Sequence, residues 1–391
     1  MDFRNVNPLN VRTNLLSGNL LPLAPGDSRF PIAWKLFATL MWLVQVIQVT
    51  VLIPGLIMVP REKALIDGTV TAVLSIEVFF NIGRIYARRK LVSRLIQQLN
   101  DILRDADETM KSIVTTTLQP MKTPLRFYWV AGGLSVILWC CIPFPLIFKK
   151  VSFRYEDYRM PAVFSKQPFS IEIFLMGSIL VLIGNTYIFL KKGGMDIYMI
   201  HLLLLITAQY RYTASILTTI FRNANLRGEL EQSRPEIDQR VDKEIRALCR
   251  HHTAVLRLSS LLKQLLSLSF SMIYVNSVLR FCFIGVMLST LPSTTFLEGF
   301  PIFMYMCGSI VQFYILCSCV QQLQDASKDM TDKAFHENWY RFGTSVKRTF
   351  MLMMLGTNLG CRISTNDKFN LSLTSFMSIL NQSYSIALVL L

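Results

Sequence analysis

The stretch FSIEIFLMGSILVLIGNTYIFLKKGGMDIYMIHLLLLITAQYRYTASILT, residues 169–218, decides how this chain is folded. A membrane crossing needs ~20 apolar residues. Lys191-Lys192-Gly193-Gly194 divides the stretch into two halves of that length, so it reads either as two short crossings or as one long, kinked helix projecting beyond the bilayer. The flanking charge separates the two readings. The loop 84–126 carries nine Lys/Arg between Arg84 and Arg126, and the loop 219–263 carries nine between Arg222 and Lys263. Basic loops stay in the cytoplasm, so an even number of crossings separates two of them. Residues 127–148 are one crossing, which makes 169–218 the other.

Further apolar stretches at about 33–59, 68–87, 264–290, 299–320 and 371–391 are each right for a single span. The expected fold is therefore all-α: a polytopic membrane protein of seven transmembrane helices, N-terminus cytoplasmic and C-terminus extracellular. The other loops agree. Residues 1–35 hold four more basic residues and 324–350 five, against seven in the outer segments 60–67, 149–168 and 291–298. Lys149, Lys150, Arg154 and Arg159 are the awkward outer cations, although Glu156 and Asp157 lie among them.

Composition supports a membrane protein. Of 391 residues, 52% are hydrophobic and 17% charged, with a mean hydropathy of +0.41; soluble domains carry about 25% charged residues. A net charge of +15 could suggest nucleic acid, but the basic residues lie between apolar segments, so no nucleic-acid partner is expected. The eight cysteines include no CxxC, and the four histidines have no metal-ligand or catalytic spacing. No catalysis, cofactor or metal is expected. His251-His252 reads as part of a solvated, charged loop. The first 30 residues hold no continuous apolar core, so no cleavable signal peptide is expected.

The inner loops carry helical periodicity. Leu91, Leu95, Ile96, Leu99 and Leu103 recur at helical spacing, as do Ile237, Val241, Ile245, Leu248, Val255 and Leu258. Such stretches either extend the spans into the cytoplasm and pack there or lie on the membrane surface. Four charges fall within or beside spans. Glu77 and Arg280 mark a polar site and could pair with each other; Asp196 reads as a cap for the lower half of the fourth span, and Arg211 as a snorkelling residue.

In the last segment, Leu371 to Leu391, Ser375, Ser378, Gln382, Ser385 and Val389 follow at spacings of 3, 4, 3 and 4. On a helix they share an arc of roughly 80°. The opposite side carries Leu373, Phe376, Leu380, Tyr384, Ala387 and Leu391. A small polar face on a spanning helix meets protein or water, so it is a pore lining or a packing face.

The C-terminal quarter carries an ordered series of motifs: Ala334-Phe335-His336-Glu337-Asn338-Trp339-Tyr340, Ser345-Val346-Lys347-Arg348, Leu352-Met353-Met354, Ile363-Ser364-Thr365, Phe369-x-Leu371-Ser372-Leu373 and a final Ser383-Tyr384-Ser385. This order resembles the insect odorant receptor family, over about residues 330–391 in motif and the whole chain in topology. The related gustatory-type channels usually end in Thr-Tyr…Gln-Phe, and no Gln-Phe follows Tyr384 here. A G-protein-coupled receptor is opposed by the inverted topology. The loop 219–263 is too short for the large insertion of the family's co-receptor, so the chain looks like a ligand-tuning subunit.

The resemblance implies an odorant-gated, non-selective cation channel subunit in the plasma membrane of an olfactory neuron dendrite. It would form a heterotetramer with the odorant co-receptor and bind a small volatile organic odorant, with membrane lipid around it. Residues 1–323 would form a six-helix transmembrane bundle with an outer-half ligand pocket and cytoplasmic helical extensions; 324–391 would supply a cytoplasmic anchor helix and the pore-lining last helix. Val389 aligns with the family's hydrophobic gate, bordered by Leu388, with Ser385, Gln382 and Ser378 along the pore. Family analogy places ligand candidates at Val73, Ile76 and Phe80 (second span), Ser135, Leu138, Trp139 and Ile142 (third), Ile183 and Tyr187 (fourth), and Phe303 and Tyr305 (sixth).

Overall fold

The computed structural model describes residues 1–24, 30–229, 234–289, 296–358 and 371–390. Among these residues, seven helices are long and apolar enough to cross a membrane. The spans lie in Ile32–Met58, Thr69–Ala87, Lys122–Cys141, Ile171–Glu229, Arg234–Ser289, Phe296–Phe335 and Leu373–Leu390. There is no β-strand among the described residues, only an isolated bridge between Phe153 and Phe169. The all-α, seven-span expectation holds. Ile363-Ser364-Thr365 and Phe369 lie outside the described residues.

The stretch 169–218 is part of one helix of 59 residues. At 1.5 Å per residue it is about 88 Å long, far beyond the ~30 Å hydrocarbon core. Lys191-Lys192-Gly193-Gly194 does not break it. The two glycines admit close neighbours: a Cβ on Gly193 would lie 2.8 Å from the Trp129 ring, and one on Gly194 3.0 Å from Ser17 Oγ. Lys191 Nζ donates to Ser17 O at 3.1 Å and sits 4.1 Å from the centroid of the Trp42 ring. Asp196 therefore stands in mid-helix, one turn past Lys192, and caps nothing.

The ends of the helices away from the 149–170 connection pack as a helical body. The helix Arg89–Arg104 buries Val92, Leu95, Ile96, Leu99 and Leu103, and the fifth helix, 56 residues long, buries Val241, Ile245, Leu248, Val255 and Leu258 before it enters the apolar zone. These residues share one core with the fourth helix, so the stretches extend the spans rather than lying on a membrane surface. His251 and His252 belong to this helix, not to a loop, and His252 is buried with its ring against Tyr210. The N-terminal segment closes the same end: the Phe3 amide donates to Asn100 Oδ1 at 2.7 Å.

At the opposite end, the 149–170 connection folds over the bundle. Phe153 stacks on Phe174 at 4.1 Å, and Tyr158 packs against Phe169 and Phe174. Two of the awkward cations are paired here, Lys150 with Asp157 at 2.5 Å and Arg159 with Glu298.

Candidate functional site

A cavity of about 80 Å³ lies among the second to sixth spans, toward the end covered by the 149–170 connection. The third span turns Ser135 and Trp139, four residues apart on one helix face, into its wall. Ser135 Oγ donates to Pro301 O at 2.7 Å, which ties the third span to the sixth. The Arg159 guanidinium stands 5.0 Å above the Trp139 ring. Tyr305, Phe189, Leu74 and Met287 add apolar surface from the other spans, and Asp67 and Asn185 add polar groups. Burial pushes the Asp67 carboxyl above its ordinary range, against the pull of its ion-pair partner Lys63.

Of the sequence candidates, Ser135, Trp139 and Tyr305 line this cavity. Ile76, Ile183 and Phe303 turn instead to the outside of the bundle, 55%, 37% and 51% exposed. Val73 is buried, with its carbonyl accepting from Asn276 Nδ2 at 3.2 Å. Tyr187 packs on Phe37 of the first span. Phe80, Leu138 and Ile142 are half-buried and are not brought to the cavity wall. Asp67, Leu74, Asn185, Phe189 and Met287 were missed, and no motif marks them.

A buried polar network forms the floor. Lys192 Nζ lies 2.9 Å from Glu77 Oε1 and 2.5 Å from Asp196 Oδ1. Gln312 Nε2 donates to Asp196 Oδ2 at 2.8 Å and accepts at Oε1 from Arg280 at 3.0 Å. A void of about 20 Å³ touches Lys192, Arg280 and Gln312 on one side and Leu74, Phe189 and Tyr305 of the cavity wall on the other. Glu77 and Arg280 are thus members of one network but not each other's partners. Two cations balance two carboxylates, which is how charge is kept inside a membrane protein.

The fifth helix carries Arg280 and also seats the last helix. Ser383 Oγ donates to Val278 O at 3.0 Å, and a Cβ on Gly285 would lie 3.0 Å from that of Ala387. Ile379, Ser383 and Ala387 are the buried face, with Phe376 and Leu380 packed beside them. Tyr384, expected on the same side, is 67% exposed. The polar stripe points elsewhere: Val389 is 86% exposed and Leu388 55%, Ser385 and Gln382 are exposed, and Ser378 is half-buried. Gln382 Nε2 donates to Ser378 Oγ at 3.2 Å, and Ser385 Oγ to Asn381 O at 3.1 Å. The stripe is not this chain's own packing face.

Fold and site together define a seven-helix membrane protein with an apolar, aromatic-walled cavity at one end and a last helix only half seated. A family model described as 7tm Odorant receptor matches residues 63–384. Two Drosophila melanogaster proteins are similar, each at 22% identity: Odorant receptor 67a over 36% of this chain and 34% of its own length, and Odorant receptor 49a over 66% and 62%. The match thus spans less than two thirds of either relative. The insect olfactory receptor OR5 from Machilis hrabei has a similar fold, with a TM-score of 0.79 at 13% identity over 98% of this chain and 96% of that one. Its complex with eugenol gives 0.80 at 12% identity over the full length of both. The chain belongs to the odorant receptor family and is a membrane protein, not an enzyme.

Proposed function

We propose that this chain is the ligand-tuning subunit of an odorant-gated, non-selective cation channel. It assembles with the odorant co-receptor as a heterotetramer in the plasma membrane of an olfactory neuron dendrite, its N-terminus cytoplasmic and its C-terminus outside. The observation that carries this reading is the last helix. One face is locked to the fifth helix, while the end of the small-polar stripe, Gln382, Ser385 and Val389, is exposed. Polar side chains of a spanning helix need protein or water, and one helix cannot enclose a pore, so several chains around an axis are required.

In this reading Val389, bordered by Leu388, forms a hydrophobic constriction that gates by dewetting. Ser385, Gln382 and Ser378 offer oxygens to a hydrated cation below it. Odorant enters the cavity walled by Ser135, Trp139 and Tyr305. Ligand pockets span roughly 300–1,000 Å³, so a cavity of 80 Å³ opens by side-chain movement on binding. Its aromatic rings suit aromatic or unsaturated odorants through stacking, and the Machilis hrabei receptor was solved with eugenol. The fifth helix reaches both the network under the cavity and the seat of the last helix, so a shift of Arg280 is transmitted to the stripe.

The test is co-expression with the co-receptor and current recording across an odorant panel. Cation currents with at least one odorant are expected. Silence toward every ligand, with the chain present at the cell surface, overturns the assignment.

A further inference from the structure

A larger cavity, about 440 Å³, lies at the other end of the bundle between the N-terminal segment and the third and fourth helices. The outer-pocket reading leaves it unexplained. We propose that it binds an acidic glycerophospholipid from the leaflet on the N-terminal side, with the headgroup at Lys122, Arg126 and His201 and an acyl chain inside.

Three observations place the headgroup. Lys122 and Arg126 are exposed at the mouth, one helical turn apart, and neither forms an ion pair among the described residues. His201 is 1% exposed and lines the same cavity. Its Nε2 lies 3.1 Å from Phe3 O and must donate there, because a carbonyl only accepts; its Nδ1 is buried without a partner. In a neutral ring that nitrogen is an acceptor. The ligand therefore brings an anion for the two cations and a hydrogen-bond donor for the imidazole.

The heights agree. Trp129 of the third helix packs on Gly193 of the fourth. Seven residues separate Trp129 from Lys122 and eight separate Gly193 from His201. At 1.5 Å per residue in antiparallel helices, Lys122 and His201 stand within about 2 Å of the same level. Between this polar level and Trp129 the wall is apolar, with Leu125, Ile197 and Ile200. Trp129, whose Nε1 is also buried and unpartnered, belongs to the same lining. The volume falls within the roughly 300–1,000 Å³ of ligand pockets. A water-soluble anion uses the mouth but not the interior; a lipid uses both.

The probe is phosphatidylinositol, whose phosphate is anionic and whose ring hydroxyls donate, against phosphatidylcholine, which lacks such donors. The full chain, purified in its native assembly from bilayers containing both, is analysed for co-purifying lipid by mass spectrometry. Enrichment of phosphatidylinositol over the bulk ratio is expected. A basic side chain near an anionic surface contributes about fivefold in binding, so K122Q/R126Q should lose at least that much enrichment. Both positions are exposed, so this variant folds. Ile200→Trp, which fills the interior, should lower retention of either lipid. Bulk-ratio lipid in the wild type, or enrichment unchanged in K122Q/R126Q, overturns the proposal. So does displacement of the lipid by inorganic phosphate or glycerophosphoinositol alone, which would make the site a plain anion site.

Discussion

Val389 and Ala387 stand two residues apart on the last helix and have opposite surroundings, 86% and 4% exposed. Replacing Val389 with Ala should raise the current that flows without odorant when the chain is co-expressed with the co-receptor. An unchanged leak would place the gate on another subunit. Around the cavity, Trp139→Ala and Tyr305→Ala should each shift the half-maximal odorant concentration about tenfold or more, since an aromatic contact is worth roughly 0.5–1.5 kcal/mol beyond its buried area. Ile76→Ala and Phe303→Ala, on the outer surface, should leave dose–response curves within about twofold of wild type. Equal effects from both pairs would remove the cavity from consideration. The contrast also explains why the stripe was readable in the sequence and the cavity wall only in part. Polar residues in an apolar helix announce their face. Lipid is as apolar as a protein core, so helical spacing cannot tell Trp139, which lines the cavity, from Ile183, which faces outward.

Among the helices, the fourth teaches most. Its Lys-Lys-Gly-Gly interruption looked locally like a boundary, and only the charge balance of loops on either side argued for a single crossing. In the structure each of those four residues has a partner drawn from far away in sequence, Ser17, Trp42, Trp129 or Glu77, which no local pattern reveals. Breaking a buried ion pair by removing one partner costs about 3–5 kcal/mol. Lys192→Met should therefore lower the thermal stability of the detergent-solubilised receptor sharply. The double variant Lys192→Met with Glu77→Gln should recover much of the loss, because Asp196 and Arg280, joined through Gln312, then still balance. If the double variant is as unstable as the single one, Glu77 is not what Lys192 neutralises.

For the assembled fold, the seven spans, their order and the helical extensions packed beside the fourth and fifth spans were legible from hydropathy, charge and period. The lid formed by the 149–170 connection was not, since its aromatic stacking and the Arg159–Glu298 pair depend on distant residues. Orientation has a direct test. An epitope placed after Leu391 should be stained on intact, unpermeabilised cells, and one placed before Met1 should not. Staining of the N-terminal epitope alone would invert the topology and favour a G-protein-coupled receptor. The half-seated last helix has one more consequence, for the cell that makes the protein. A chain inserted without its companions would hold Gln382 and Ser385 against hydrocarbon, and their bonds to Ser378 and Asn381 meet only part of what the carboxamide requires. In the proposed assembly an orphan subunit is thereby marked from birth: the stripe that would line the pore is also what membrane quality control would recognise and retain until assembly hides it.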